Sequence, residues 1–447
     1  MRTIGKTLCN GSGVNRSLSG DVPMAQLRID FGYEFQNVGQ GLFTFGRVAV
    51  GSVPEPQLRW VFDCGTLSRE ELITAGLSKL QNYFGTADPI DLVALSHFDK
   101  DHISGVCELL KRFPVDALML PYVARGMRLR LAAAQRVNRG HPLHGFYDNP
   151  VRFLAALDGA NIRRIVFVLP GGPPPIPGTD ARRNPANSDR VDGLIVPDGP
   201  PVPEAVLETR LGGRPTAQTV MSGDPLKFRD VWEFVPYNDM TVPLRVGGPE
   251  SFAADVVAMR DELRTASQGV EREDALRRLK WIYDDAFGAS GRRRNEISLH
   301  LYGGPIDAAA SGLSAFGSRY VRIGQRLRPL PMADLGVYSR ASGILYAGDG
   351  DLSAPARMER MVACLSEERL RQVSVFQVMH HGAQKNWQEG VADRIAPDFS
   401  VFSSDPRHRK FGHPHPQVVE DFLPYTPLQV DERRHASFEG VAWVDNP

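Results

Sequence analysis

The sequence predicts an α/β layered fold whose core is shared by the two ends of the chain and interrupted by a large Pro/Gly-rich and helical insertion. Three observations carry this expectation. Strand-like runs alternate with helix-like stretches in both halves of the chain. The runs in the second half each end at polar residues. Between them, residues 170 to 215 hold eleven prolines and seven glycines around only short strand-like pieces, a texture that fits loops and not a continuing sheet. The length of 447 residues allows two or three domains, or one large enzyme domain with insertions.

Taken in order, residues 1–23 are rich in Gly, Ser and Asn and stop just before Met24, so they read as a flexible tail or as sequence upstream of the true start. Residues 24–123 form the first half of the fold. The runs LRIDFGYEF, GLFTFGRVAV and LRWVFD, bounded by Gly39, Gly41 and Gly51, predict an opening meander. A helix-like stretch spans Ser68 to Tyr83. The apolar run DLVALS then stops at HFDKDH, and Ile103, Val106, Cys107 and Leu110 follow at i, i+3, i+4, i+7 spacing. That order is strand, polar loop, helix, and it gives Cys107 a place in a core-facing stripe.

Residues 124–287 are expected to form an insertion subdomain beside the functional cleft, setting substrate choice without supplying metal ligands. RRIVFVL stands just before its Pro/Gly-rich stretch, and it closes with two helical stretches. In the first, Phe252, Val256, Met259, Leu263, Ala266 and Val270 alternate steps of four and three; the second runs from Glu271 to Phe287. The pattern is too short for a coiled coil and predicts a packed helical hairpin. Residues 288–447 form the second half, with strands in EISLHLY, SGILYAGD, RQVSVFQVM and APDFSVFSS.

Composition narrows the function. Hydrophobic residues at 42% and charged residues at 23% match ordinary globular usage and exclude wholesale disorder. Lys+Arg and Asp+Glu both number 52, so the net charge is zero and no overall electrostatic grip on nucleic acid or anionic lipid is expected. Any anion site must be local. Cys9, Cys64, Cys107 and Cys364 lie far apart with no CxxC pair, which indicates neither a disulfide framework nor a thiolate zinc knuckle and suits a reducing cytoplasm. No apolar run approaches the roughly 18 residues needed to span a bilayer, so no membrane partner is expected.

The chemistry concentrates in Ser96-His97-Phe98-Asp99-Lys100-Asp101-His102. Four ligand-grade side chains within six residues, on a loop between a buried strand and a helix, converge on one cleft and can begin two adjacent metal sites. The alternative is a solvated helix N-terminus with Asp101 near its dipole. Two more strand ends echo the first. Asp349 follows the strand in SGILYAGDGD, and His380 and His381 end the strand in VSVFQVMHHGAQ. After the last strand, KFGHPHPQV carries His413 and His415, which suit binding a scissile phosphate, protonating a leaving oxygen, or a turn rigidified by Pro414 and Pro416. Arg407, Arg409 and Lys410 just before it are candidate phosphate binders. Between Ala117 and Tyr147 there is no acid, while Arg125, Arg128, Arg130, Arg136 and Arg139 recur; Arg292, Arg293 and Arg294 form a further cluster.

LSHFDKDHISG resembles the HxDxDH variant of the metallo-β-lactamase fold. VGQG (Val38 to Gly41), FDCG (Phe62 to Gly65), AGD, MHHGA and FGHPHPQV resemble, in the same order, motifs of the hydrolase domain of the competence protein ComEC. The likeness covers about residues 30–110 and 295–420. It implies an αββα metallo-β-lactamase sandwich, a hydrolase of phosphodiesters or related esters, and a dinuclear site at strand ends. Residue by residue it implies His97 and Asp99 on one metal, Asp101 and His102 on the other, and Asp349 bridging. One of His380 and His381 would complete the second site, with His380, the first after the strand, favoured. Asp63 would orient the ligand loop by hydrogen bonds; a plain strand-end turn is the competing role.

Departures from the family pattern refine this. Asp99 stands where the superfamily has a second His, which hardens the first site and favours Mn²⁺ or another oxygen-loving ion over a zinc-selective pocket. The superfamily's further single His has no match, because His141, His144 and His300 lie in no recognisable motif. Leu42 replaces the acid that often ends VGQGD, and the membrane channel of the competence protein is absent, so DNA uptake is not implied.

The expectation is a soluble, cytoplasmic metal-dependent hydrolase with two divalent ions, Zn or Mn, whose metal-bound hydroxide attacks a phosphodiester, most plausibly in nucleic acid. Asp101, also a ligand, joins His413 and His415 as the catalytic candidates. The alternatives are a small-molecule ester or lactone hydrolase of the same fold, and a metal-binding scaffold without turnover.

Overall fold

The computed structural model describes residues 26–445 except 54, 86–87, 124–127, 129–131, 133–136, 138–140, 142, 171–192, 198–214, 240–297, 339–340 and 409. The N-terminal tail, the helical hairpin, most of the Pro/Gly-rich stretch, Arg409 and the clustered arginines other than Arg128 thus lie outside the described residues.

The first half begins with β1 (Gln26–Phe35), β2 (Phe43–Val50) and β3 (Leu58–Cys64), which pair antiparallel as the expected meander. Then come α1 (Glu70–Phe84), β4 (Ile90–Ala94), α2 (Lys100–Ile103), α3 (Val106–Arg112) and β5 (Val115–Pro121). The helix expected after HFDKDH is broken into α2 and α3 at Ser104–Gly105. Gly105 sits where a Cβ would come within 2.5 Å of Ile73 and 2.8 Å of the Cys64 Sγ, so the chain can pass there only without a side chain. Ile103, Val106 and Leu110 are buried as the stripe requires, and Cys107 packs against the same cluster.

The middle of the chain contributes α4 (His144–Asp148), α5 (Pro150–Ala155), β6 (Ile162–Leu169), β7 (Leu194–Ile195), β8 (Thr216–Met221), β9 (Leu226–Phe228) and β10 (Trp232–Asn238). The second half adds β11 (Leu299–Pro305), β12 (Ala308–Gly317), β13 (Tyr320–Ile323), β14 (Arg326–Pro329), β15 (Ala333–Tyr338) and β16 (Gly343–Tyr346). It ends with α6 (Pro355–Leu365), α7 (Glu367–Arg371), β17 (Val373–Gln377), α8 (Val391–Ile395), β18 (Phe399–Ser403), α9 (Pro416–Asp421), β19 (Pro427–Val430) and β20 (Ala436–Asp445).

The protein is mixed α/β, with two large sheets and few helices. A ten-stranded sheet runs β15-β12-β20-β1-β2-β3-β4-β5-β6-β8, an eight-stranded sheet runs β19-β18-β17-β16-β11-β10-β9-β7, and β13 and β14 form a hairpin. The last strand, β20, lies antiparallel to the first along its whole length, from Gln26 opposite Asp445 to Phe35 opposite Ala436. The two chain ends therefore do share one sheet.

The insertion boundaries need correction. β6 and β8 extend the ten-stranded sheet, while β9 and β10 belong to the eight-stranded one, so the described parts of residues 124–287 are not a separate subdomain. The physical reason is visible in β10, WEFVPYN, which is buried at every position. A strand apolar toward both faces has to sit inside a sheet that is covered on both sides.

One hydrophobic cluster draws on both sheets, with Phe31, Tyr33, Trp60 and Phe62 meeting Trp232, Phe234 and Tyr346. Phe62 stacks on Tyr346 at 4.5 Å, and the Trp60 indole N–H donates to the Tyr346 hydroxyl at 3.1 Å, so this polar contact between the sheets fixes the register of the two rings. A second cluster packs α1 and α3 on the ten-stranded sheet through Ile73, Leu77, Leu80, Leu109 and Leu110. A third packs α6, α8 and α9 on the eight-stranded sheet through Met361, Val362, Ile395 and Val418. Apolar burial on this scale leaves the carboxyl ends of β3, β4, β16, β17 and β18 as the places where polar side chains gather. No helix among the described residues is long and apolar enough to cross a membrane.

Candidate metal centre

β3 and β4 are parallel neighbours, as are β16, β17 and β18. Their carboxyl ends deliver Asp63, His97 to His102, Asp349, and His380 with His381 to one place. Two groups of side chains there bring ligand atoms within 4.8 Å of one another: Asp101, His102, Asp349 and His381, and His97, Asp99 and Asp101. Such a buried group can hold a metal ion. All six residues were expected from the sequence, so the solvated-helix alternative for HFDKDH does not describe this loop: His97 and His102 are buried.

The ligand loop is held by its neighbours. A Cβ at Gly65 would lie 2.5 Å from the backbone of Asp101 and His102, so the FDCG turn needs glycine to let that loop approach. Asp63, completely buried and in a left-handed conformation (φ 55), points its carboxylate under the loop. Its Oδ1 accepts the Ser96 N–H at 2.7 Å. Its Oδ2 accepts the Ser96 hydroxyl at 2.6 Å and lies 2.7 Å from His102 Nδ1. Because a carboxylate only accepts, His102 carries a proton on Nδ1 and directs Nε2 to the centre. Ser96 Oγ, having given its proton to Asp63, accepts from His97 Nδ1 at 2.9 Å and fixes that ring in the same tautomer. One buried carboxylate thus orients two ligands, one directly and one through a serine. Asp63 thus reaches the loop of His97 and His102 through hydrogen bonds, the contacts that an orienting residue would need.

His381 is set similarly: Nδ1 donates to the Ser403 carbonyl at 2.6 Å, leaving Nε2 3.2 Å from Asp101 Oδ2. The four-donor group takes His381, where His380 was favoured. Both histidines have left-handed backbone, φ 46 and φ 57, which turns the second ring inward, whereas a regular strand end would send it to the other face. Among the described residues the buried Nε2 atom of His97 makes no hydrogen bond, whereas that of His102 faces Asp349 Oδ1 at 3.2 Å. A buried polar atom without a partner is costly, and a cation at the centre would satisfy it.

Electrostatics agree. Burial opposes ionisation of Asp349, but His380, His102 and His381 outweigh it and hold the carboxyl well below its ordinary range. Burial likewise opposes charge on Asp101, yet His102 and His381 bring it down to about 2. His102 is raised well above its usual value: burial is overcome by Asp349, Asp63 and Asp101. His381 is raised for the same reason by Asp349 and Asp101. Burial pushes Asp99 upward despite His97. Ionised carboxylates around proton-holding imidazoles form a cage in which protons compensate the charge that a metal ion would neutralise, and metal binding there releases protons.

Several anchors escaped sequence reasoning. Ser298 Oγ accepts the Asp349 amide at 3.0 Å. Gln377 Oε1 accepts the amides of Ala347 and Gly348, and Asn386 Nδ2 donates to the Asp349 carbonyl at 3.0 Å, so the loop carrying the central carboxylate is fastened from three sides. Nothing in periodicity marks these residues. His141, His144 and His300 stand outside both donor groups. His300 donates from Nδ1 to the Ser298 carbonyl, and burial pushes it down to about 4.

The GHPH histidines divide. His413, nearly buried, lies with its ring 5.7 Å from His380 and 6.3 Å from His381. His415 Nδ1 accepts the Gln384 amide at 3.2 Å and its backbone N–H donates to Gly382, which ties it to the turn. Of the basic candidates, Arg407 donates to Asp405 at 3.1 Å and approaches Glu432 at 3.6 Å, and Lys410 sits over the Phe411 ring at 4.9 Å. Arg128 is no phosphate binder. It is buried and donates to the carbonyls of Val123, Tyr147 and Asp148, clamping the chain that carries Tyr147, whose hydroxyl donates to the Phe98 carbonyl in the ligand loop. The stripe was legible as charge, but whether a guanidinium meets solvent or backbone carbonyls is a matter of packing.

No protein-family model matches the chain, and no curated protein matches it. One test of the site geometry is independent of turnover. Asp63→Asn and Ser96→Ala should each weaken divalent-metal affinity about 10- to 100-fold, measured by competition with a chelating dye. Ser96→Thr, which keeps the hydroxyl, should stay near wild type. Unchanged affinity in both Asp63→Asn and Ser96→Ala would remove the orienting role.

Proposed function

We propose that the protein is a metal-dependent hydrolase of phosphodiesters with two divalent ions, built on the αββα metallo-β-lactamase sandwich that its motifs resemble. The observation that carries this reading is the pair of donor groups that share Asp101, one of them including Asp349, with the Nε2 atom of His97 buried among them and without a hydrogen-bond partner among the described residues. The three apolar clusters fit the layer order helix, sheet, sheet, helix. His97 and Asp99 would hold one ion and His102 the other, with Asp101 beside both. Three carboxylates among the donors make the set hard, which favours Mn²⁺ over Zn²⁺.

Bound ions would lower the pKa of a water and offset charge developing on phosphoryl oxygens. The chain's own residues do the rest. In the hydrolysis a water oxygen bonds to phosphorus, the bond to the leaving oxygen breaks, and that oxygen takes up a proton. Burial and the neighbouring His381 and His380 hold His413 down at about 3, so it meets the substrate as a neutral imidazole whose N–H can bind a phosphoryl or leaving oxygen. His415 keeps that loop seated.

A second reading, a small-molecule ester or lactone hydrolase, is favoured by one observation: Arg407 is engaged by Asp405 and Glu432 and does not offer a clear cationic stripe for a polymer. Salt dependence separates the two. Nucleic-acid binding should weaken with a log–log slope of roughly −0.7 to −0.9 per phosphate contact, and an Arg407→Ala, Arg409→Ala, Lys410→Ala variant should flatten it. Efficient turnover of a phosphodiester chromogen with no cleavage of single- or double-stranded DNA or RNA would select the small-molecule reading. Metal-replete protein inert on every ester would leave a metal-binding scaffold.

A further inference from the structure

The carboxylate of Asp349 faces two different pairs of imidazoles. Oδ1 lies 3.2 Å from His102 Nε2 and 3.6 Å from His381 Nε2. Oδ2 lies 3.7 Å from His97 Nε2 and 3.5 Å from His380 Nε2. Adjacent histidines would reach opposite oxygens of one carboxylate only if the backbone splayed them, and it does. Both residues adopt left-handed dihedrals, which a residue with a Cβ seldom takes. Their rings stand 80° apart with centroids separated by 6.1 Å. The backbone is pinned in this shape by the His380 N–H donating to the Gly348 carbonyl, one residue before Asp349.

The donor groups are unequal. Asp101, His102, Asp349 and His381 make a four-donor set, while His97, Asp99 and Asp101 make a set of three. The second set therefore has one donor fewer than the first. Between Val106 and Asp349 the histidines are His141, His144 and His300, which lie outside both groups; His380 also stands outside the 4.8 Å groups but faces Asp349 Oδ2 at 3.5 Å, beside His97.

We infer that both members of the HHG pair are metal ligands, one to each ion: His381 closes the four-donor site, and His380 serves the His97–Asp99 site across the second oxygen of Asp349. The strained turn at 380 and 381 exists to divide two neighbouring side chains between two ions. His380 thereby replaces, from the far strand, a ligand that the chain does not supply between Val106 and Asp349. The inference rests on the two-ion reading proposed above.

The test is metal stoichiometry and spectroscopy on the full chain, stripped with chelator and titrated with Mn²⁺. Wild type should bind two ions per chain and give the electron paramagnetic resonance signal of a coupled pair. His380→Asn should bind one ion and give the six-line signal of an isolated ion, with the first binding event unchanged. Asn is chosen because it tolerates left-handed backbone, so the turn persists. Asp99→Asn should reproduce the same loss without touching the turn, and the double variant should lose no more than either single one. Two ions with a coupled signal in His380→Asn would overturn the inference, as would a wild type that binds a single ion with the affinity of His380→Asn. A wild type that binds no divalent ion would instead sink the hydrolase reading itself.

Discussion

Asp349→Ala should abolish hydrolysis and remove most of the bound metal, the largest loss expected from any single substitution in this chain. The side chain is almost fully buried and stands within 3.7 Å of the Nε2 atoms of His97, His102, His380 and His381. Its removal takes one donor from each side of the centre at once. It also leaves buried imidazoles without the charge that sustains them: Asp349 is the strongest influence raising both His102 and His381 against burial. In its absence those rings lose their preference for the protonated form, and the cage loses the negative potential that attracts a cation. Elemental analysis of the purified variant, beside an assay on a phosphodiester chromogen, measures both losses. Circular dichroism separates loss of metal from loss of fold, because Gln377, Ser298 and Asn386 bind the backbone around residue 349 and not its side chain. Full retention of either metal or turnover would refute the bridging assignment.

His413→Ala should lower kcat by roughly 10²–10³, the usual cost of removing one hydrogen-bond donor aimed at charge developing in the transition state, while metal content stays at the wild-type level. His413 is buried beside His380 and His381, and among the described residues its Nδ1 has no hydrogen-bond partner. Under the proposed function that atom would be free to meet a substrate oxygen. His413→Gln, which retains an N–H donor, should recover part of the rate. His415→Ala should act differently, since its Nδ1 holds the Gln384 amide: stability should fall first, and kcat only through the loosened loop. Equal kcat in wild type and His413→Ala would return His413 to a structural role. A loss of metal in His413→Ala would make it part of the ligand set.

How much of this was legible in the chain depends on the range of each interaction. HFDKDH announced the centre because four donor types crowd into six residues, and donor chemistry is a property of residue type. Asp349 and the 380/381 pair were legible for the same reason, each standing at the polar end of an apolar run. The opening meander and α1 followed from local periodicity. In contrast, β12, β15, β19 and β20 went unread, and β6 and β10 were assigned to an insertion. Their place in the sheets is decided by partners far along the chain, such as β20 on β1.

The sequence by itself determined that this protein carries a clustered set of His and Asp donors at strand ends in a mixed α/β fold. Only the tertiary structure decided which donor serves which neighbour. The Asp63–Ser96–His97 chain joins residues more than thirty positions apart, Arg128 turned out to bind backbone carbonyls, and His380 and His381 were divided between two oxygens by left-handed dihedrals. Residue types declare which atoms can donate to a metal. The direction in which a lone pair points is set by backbone torsions and by hydrogen bonds from distant strands, and neither leaves a periodic trace in the chain.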